Sequence, residues 1–318
     1  MTDPTIVPTG AWAAIYAERL HYIAHLAVLD YDNPGPNELA WFAPFGEPEP
    51  TTAVAEDREL PGPHGPVPVR IYRPATAAAS GAGLVWYHGG AFIAGDLGVR
   101  QADLVARGLV TRTSGVVVSV DYRLCRDGVH HPVPHDDAYA AYRWTLQHTA
   151  ELEIHPARLA VGGASAGGCL AATVALHGRD DGVPPARALL AYPVAHAAMP
   201  PGTPEYRAMM TRLPPSLGFS PETVSALNAN YIGRDPAAAD AYAFPGHASD
   251  LAGYPPTYIE NCEFDELRAS GEGFGRQLAS AGVDVEVTTA AGVPHGHLDA
   301  IGSPLTAATL DRFAAQMP

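Results

Sequence analysis

Near the N-terminus, Trp12, Ile15, Tyr16, Leu20, Ile23, Leu26 and Ala27 recur at helical spacing, which predicts a helix over about 10–30. A Pro- and Gly-rich break follows, then an aromatic cluster of Trp41, Phe42 and Phe45. After Pro61 the period changes to two. Val67, Val69 and Ile71 alternate with Pro68, Arg70 and Tyr72, as in a half-exposed strand. Short apolar runs follow at Leu84 to Tyr87, Val116 to Val120, Leu159 to Val161, Ala188 to Tyr192 and Thr257 to Ile259, and Val283, Val285 and Val287 alternate. Helical patterns lie between them near 99–112, 136–149, 166–178, 268–281 and 304–316. Strands that alternate with helices predict a mostly parallel sheet covered by helices on both faces. The stretch 196–250, rich in Pro, Ala, Met and Tyr, breaks this rhythm between two strands that should be neighbours. An insertion of this kind reads as a lid or cap over a ligand site.

Composition narrows the function. With 47% hydrophobic residues over 318 positions, the chain has material for a large core, so disorder is excluded. A formal charge of −15 argues against nucleic acid and anionic membranes as partners. All 19 basic residues are arginine. Schiff-base and pyridoxal-phosphate chemistry, the phosphate-loop motif and Ser-Lys dyads all need a lysine and are excluded. Cys125, Cys169 and Cys262 are odd in number and far apart, which fits reduced thiols rather than a disulfide framework or a metal pair. The N-terminal residues carry no basic region followed by an apolar stretch, and no window reaches the roughly 18 apolar residues of a membrane span. A soluble, cytoplasmic protein is expected.

The strongest chemical signal is Gly163-Ala164-Ser165-Ala166-Gly167-Gly168, between the apolar run ending at Val161 and the helical pattern from Cys169. A nucleophile elbow needs this arrangement. Small flanking residues permit a sharp strand-to-helix turn, which thrusts the serine hydroxyl out at the helix N-terminus. Alone, the motif could be a Gly-rich turn with a capping serine. A second signal, His88-Gly89-Gly90-Ala91-Phe92, follows the run Leu84 to Tyr87 directly. Backbone N–H groups of a Gly-Gly segment can converge on one point, as an oxyanion requires. Gly89 and Gly90 are the expected donors together with Ala166, and His88 is expected to brace the loop.

A serine nucleophile needs a base, and the base needs an orienting carboxylate. His295 lies in the loop after the final predicted strand, and Asp265 follows the preceding one. Both therefore fall on the sheet edge from which Ser165 must emerge. The order Ser165, Asp265, His295 is that of this hydrolase architecture. His297 is a competing base. His130, His131 and His135 with Asp136 and Asp137 look like a metal cluster on paper. Their spacing fits no usual zinc pattern, and Pro132 and Pro134 suggest a rigid surface loop, so no metal and no cofactor are expected.

These motifs together resemble the hormone-sensitive-lipase-like group of α/β-hydrolases, the bacterial family IV carboxylesterases. The resemblance covers roughly residues 60–315. It rests on His88 to Phe92, Asp121-Tyr122-Arg123-Leu124, Gly163 to Gly168, Asp250 to Pro256, Asp265-Glu266-Leu267-Arg268 and His295-Gly296. It implies an α/β-hydrolase fold over 56–318, with a helical cap built from residues 1–55 and the 196–250 insertion. By the same resemblance Ser165 is the nucleophile, His295 the base, Asp265 the orienting acid, and Gly89, Gly90 and Ala166 the oxyanion donors. The chain departs from the family pattern in places. Ala164 stands where an acidic residue is common, and Ala91 replaces a third glycine. Glu266 stands for proline, His297 for an aromatic residue, and Cys125 to Gly128 rewrite the loop after Tyr122.

The expected function is hydrolysis of short-chain, acetyl-like esters by a serine esterase through an acyl-enzyme. Two other readings compete. One is an α/β-hydrolase repurposed for acyl transfer, cyclisation or elimination, and the other is a small-molecule receptor on the same scaffold. All three triad positions are filled, which separates the chain from receptors of that kind, since those have lost the catalytic histidine. The expected partner is a small ester substrate. Homodimers occur in the family it resembles, although no interface is legible in the sequence.

Overall fold

The computed structural model describes residues 12–31, 33–76 and 78–318. Among the described residues eight strands form one sheet: β1 (Ala53–Leu60), β2 (Val67–Pro74), β3 (Gly83–Tyr87), β4 (Val116–Val120), β5 (Leu159–Ala164), β6 (Ala188–Ala191), β7 (Thr257–Phe264) and β8 (Val285–Pro294). Their order is β1-β2-β4-β3-β5-β6-β7-β8, with the pairs β1–β2 and β2–β4 antiparallel and all others parallel. The expected mostly parallel sheet is therefore present.

Strand alternation divides the core into two layers. Val85, Tyr87, Val118, Val120 and Val161 face one layer. There they meet residues of α5 (Val133–Gln147), α6 (Ala166–Asp180) and α9 (Arg268–Ser280). Leu84, Trp86, Val117, Ala160 and Leu189 face the other, against α4 (Arg100–Thr113) and α10 (Pro304–Gln316). Burial on both faces is why the central strands read as continuous apolar runs.

Strand β1 is not legible in the apolar pattern. Only its ends, Ala53 and Leu60, are buried, and the middle reads Glu-Asp-Arg-Glu. It is an edge strand, where charge is tolerated and discourages edge-to-edge pairing. Asp57 pairs across the strands with Arg70, and Arg58 bonds Glu56 and Glu151.

The N-terminal helix expected over 10–30 is broken. Its first two residues lie outside the described residues, and the rest forms two four-residue turns, α1 (Ala14–Ala17) and α2 (Leu20–Ile23), ahead of α3 (Pro36–Phe42). The apolar stripe itself is real, because Trp12, Tyr16, Leu20 and Ile23 are all buried in the second core layer. Helices this short are not self-supporting. Tertiary bonds hold the segment instead. The Ala13 N–H donates to the Gly292 carbonyl at 3.0 Å, and the Arg19 guanidinium donates to the carbonyls of Trp41, Ala43 and Pro44. Trp12 stacks on Phe264 with ring centroids 4.0 Å apart, at the carboxyl end of β7.

In the insertion, α7 (Pro204–Met210) and α8 (Pro221–Ile232) are linked by short turns. The insertion touches the N-terminal segment directly, through Ser216 Oγ donating to the Ile23 carbonyl at 3.0 Å. Among the described residues no helix is long and apolar enough to cross a membrane.

Candidate active site

The site begins with backbone geometry. At the end of β5 the chain turns sharply into α6, and Ser165 at the corner takes φ 56° and ψ −117°. A non-glycine residue with that φ is strained and must be held by its surroundings. Sterics explain the glycines. A Cβ on Gly163 would stand 2.2 Å from the Gly167 carbonyl oxygen, and one on Gly167 would stand 2.1 Å from the Tyr87 carbonyl oxygen. No side chain fits at either position. The strand-elbow-helix context expected for Ser165 is thus what the chain adopts.

Loops following β7 and β8 bring the remaining two residues to the same edge. His295 Nε2 lies 3.0 Å from Ser165 Oγ, and His295 Nδ1 lies 2.7 Å from Asp265 Oδ2. Asp265 is fully buried, and its other oxygen accepts the Leu267 N–H at 2.8 Å. A carboxylate facing Nδ1 selects the tautomer with the proton there, leaving the Nε2 lone pair toward the serine hydroxyl. Phe219 from the insertion and Tyr192 both set ring edges against His295. The site is therefore drier than an open sheet edge.

His297 occupies a different environment. Its Nε2 lies 2.8 Å from Thr309 Oγ1, and Thr309 in turn donates to Glu260 Oε1 at 2.6 Å. Because the threonine proton goes to Glu260, its oxygen accepts from His297 Nε2–H. The Cys262 thiol, 3.2 Å away, then faces the Nδ1 lone pair. Both ring nitrogens are spent inside the core. Burial pushes its pKa down to about 4, with Glu260 pulling partly the other way.

That burial has a consequence for stability. Between pH 6.5 and about 4 the unfolded chain binds a proton at this histidine that the folded chain refuses. Its contribution is complete above pH 6.5, falls as pH falls, and is gone below about 4. The His297→Phe variant should therefore lose less stability than wild type between pH 7 and pH 4, by up to about 3 kcal/mol. Urea midpoints of the two proteins across that range measure the difference, and equal slopes would contradict this account.

The oxyanion loop departs from the expected donor set in one respect. The Gly89 N–H is already taken, donating to Gln101 Oε1 at 3.1 Å. Among the described residues, the N–H groups of Gly90, Ala91 and Ala166 meet no protein acceptor. Gly90 has φ 126°, and a Cβ there would lie 2.0 Å from the Ala94 carbonyl oxygen, so only glycine fits. Ala91 and Phe92 also have positive φ, at 52° and 63°. The whole loop is held in an unusual conformation. His88 braces it as expected: it is buried, its Nδ1–H donates to the Gly89 carbonyl at 2.7 Å, and its ring stacks on Tyr122. The Tyr122 hydroxyl donates back to the His88 carbonyl.

The histidines near 130 form the expected surface loop only in part: His130 and His131 lie in a turn beside the exposed Pro132, and α5 begins at Val133. His135 and Asp137 lie within α5 and are buried. The His135 ring bonds Thr173 and His177 at 3.0 Å each, and burial pushes its pKa down to about 3. Asp137 bonds the Arg123 main chain and guanidinium. These are packing roles. The three cysteines are buried and free. Three further residues at the site carried no motif signal: Phe219, Gln101 and Asp299. Glu266, next to Asp265, has one buried oxygen without a partner, and burial with the neighbouring Asp265 charge pushes its pKa up to about 7.

A serine at a strained elbow on the carboxyl edge of such a sheet defines the class, an α/β-hydrolase. Residues 84–299 match the family described as alpha/beta hydrolase fold. Esterase LipI of Mycobacterium tuberculosis (strain H37Rv) is 36% identical over 259 residues, spanning 77% of this chain and 75% of that protein. The ethyl acetate hydrolase of Pseudomonas putida is 30% identical over 233 residues, 72% of this chain and 70% of that one. Among solved structures, the hyperthermophilic esterase of the archaeon Pyrobaculum calidifontis superposes with a TM-score of 0.74 at 30% identity, covering 83% of this chain and 85% of that one. The chain belongs to the alpha/beta hydrolase fold family, within its hormone-sensitive-lipase-like carboxylesterases. It is a carboxylic ester hydrolase.

Proposed function

We propose that this esterase cleaves short-chain, acetyl-like esters through a covalent acyl-enzyme, with Ser165 as nucleophile, His295 as base and Asp265 as its orienting acid. The observation that carries the reading is the unbroken line of hydrogen bonds, 3.0 Å from Ser165 Oγ to His295 Nε2 and 2.7 Å from His295 Nδ1 to Asp265 Oδ2. His295 takes the Ser165 proton as Oγ attacks the ester carbonyl, and Asp265 stabilises the imidazolium that forms. The oxyanion is received by the N–H groups of Gly90 and Ala166, with that of Ala91 adjacent. Collapse of the tetrahedral intermediate expels the alcohol, which takes the proton from His295. A water deprotonated by His295 then releases the acid and restores Ser165.

The short-chain preference rests on the roof. The N-terminal segment and the 196–250 insertion act as a cap in this reading, with Phe219 against His295, the Tyr206 hydroxyl donating to the Asp265 and Glu266 carbonyls, and Trp12 over Phe264. The relative that hydrolyses ethyl acetate fits the same preference. On p-nitrophenyl esters from acetyl through butyryl to decanoyl, kcat/KM should be highest at acetyl to butyryl. It should be lower by roughly tenfold or more at decanoyl, the scale set by one or two misfitted methylenes. A value that rises steadily with chain length would overturn the short-chain assignment.

A further inference from the structure

Gln101 sits in the first turn of α4, thirteen positions beyond the start of the oxyanion loop at His88. All of its hydrogen-bonding groups are committed. Its carbonyl accepts from Trp86 Nε1 at 3.2 Å, and its N–H donates to Asp299 Oδ1 at 2.9 Å. In the side chain, Nε2 donates to Asp299 Oδ2 at 3.3 Å while Oε1 accepts the Gly89 N–H at 3.1 Å. The orientation of the carboxamide is forced. One end meets a donor and the other an acceptor, so a single amide group satisfies both and a carboxylate could not.

This bridge joins two loops that must cooperate. Asp299 lies four residues beyond His295, in the short turn His297–Asp299. Gly89 lies beside Gly90 and Ala91, whose N–H groups meet no protein acceptor among the described residues, and at its Cα the loop touches the elbow. A Cβ there would stand 2.8 Å from Gln101 Oε1, 3.0 Å from the Ala164 carbonyl oxygen and 3.1 Å from Ser165 Cβ. The N-cap residue of α4, Val99, makes no side-chain cap bond, so Asp299 caps that helix from the other side of the site. The donors this loop supplies are backbone amides, whose aim is set by the dihedrals of residues 89–91. Gln101 holds the Gly89 N–H, and His88 Nδ1 holds the Gly89 carbonyl, which shares its peptide plane with the Gly90 N–H, so the two bonds together fix the Gly89 dihedrals that aim the next N–H.

We propose that Gln101, clamped by Asp299, is a positioning residue that aims the oxyanion loop by holding the Gly89 amide. Gly89 itself donates to Gln101 and leaves the oxyanion to its neighbours. The inference rests on the acyl-enzyme reading above. Oxyanion donors are worth most in the transition state, so a misaimed loop costs kcat rather than substrate binding.

The test is an exchange of donor and acceptor across the bridge. Gln101→Ala should lower kcat for p-nitrophenyl acetate by about tenfold to a hundredfold, with KM changed by no more than about threefold. Gln101→Glu places a carboxylate against Asp299 and should do the same, as should Asp299→Asn, which sets amide hydrogens against amide hydrogens. The double variant Gln101→Glu/Asp299→Asn restores the pairing, because the introduced carboxylate accepts from both the Gly89 N–H and the introduced amide. It should recover kcat to within about threefold of wild type. Recovery of thermal midpoint alone, without kcat, would assign the pair a purely structural role and overturn the proposal. So would a fully active Gln101→Ala, or a double variant no better than Gln101→Glu. If Gln101→Ala fails to fold, the double variant still decides. Wild-type turnover that persists in Ser165→Ala would instead strike the acyl-enzyme reading itself, so the two failures are separable.

Discussion

Replacing Ser165 with alanine is expected to reduce hydrolysis of p-nitrophenyl acetate by roughly 10^5 to 10^6 while leaving the fold intact. The reason is chemical rather than steric. Alanine fits wherever serine does, and the Ser165 side chain makes no cap bond that the elbow depends on. What disappears is the oxygen 3.0 Å from His295 Nε2, and with it the covalent route proposed above. Some hydrolysis above the rate in water should remain, because the proposed amide donors would still favour the transition state. A serine-directed phosphonate should label wild type at one residue and the alanine variant at none. Circular dichroism should be unchanged. Labelling at any other serine would remove the assignment of Ser165.

His295→Ala is expected to lower the acylation rate constant by roughly 10^4 to 10^6, whereas His297→Ala should retain most of it and lose stability instead. Both histidines are near Tyr192, so proximity does not separate them. Their partners do. His295 presents one nitrogen to Asp265 and the other to Ser165, while His297 spends both on Thr309 and Cys262 within the core. Truncating His297 opens a cavity among Cys262, Thr309 and Tyr192, a change that typically costs a few kcal/mol. Stopped-flow acylation and thermal melting on each variant separate the two effects. A dead His297→Ala beside an active His295→Ala would reverse the roles.

Much of this molecule is written in local patterns. Central strands bury both faces, so they appear as apolar runs; helices α4, α9 and α10 repeat their buried residues at helical spacing, and α6 is buried almost all round. The elbow is legible because its requirements are steric and local: glycine at 163 and 167 is dictated by carbonyl oxygens a few residues or one strand away. The order of Ser165, Asp265 and His295 along the chain is likewise a sequence property, since strand ends on one sheet edge follow from topology.

Other features depend on contacts between distant parts of the chain. Strand β1 has no apolar alternation because it sits at an edge, and it forms through pairing with β2 rather than through burial. The N-terminal segment keeps a helical stripe but not a continuous helix: its own bonds close only short turns, such as Ala17 N–H to Ala13 and Ala24 N–H to Leu20, and bonds to Gly292, Trp41 and Pro44 hold it in place. Sequence spacing cannot tell His295 from His297, two residues apart. Only packing puts one ring on a serine and the other in the core. The same holds for Gly89 and Gly90, adjacent and chemically identical, of which one amide is captured by a glutamine from another element and the next is left unpaired. Residue type and spacing mark out which residues could do the chemistry, because backbone conformation and burial are encoded in them. Which atoms face each other was settled by contacts between residues as far apart as 101 and 299, which no local pattern contains.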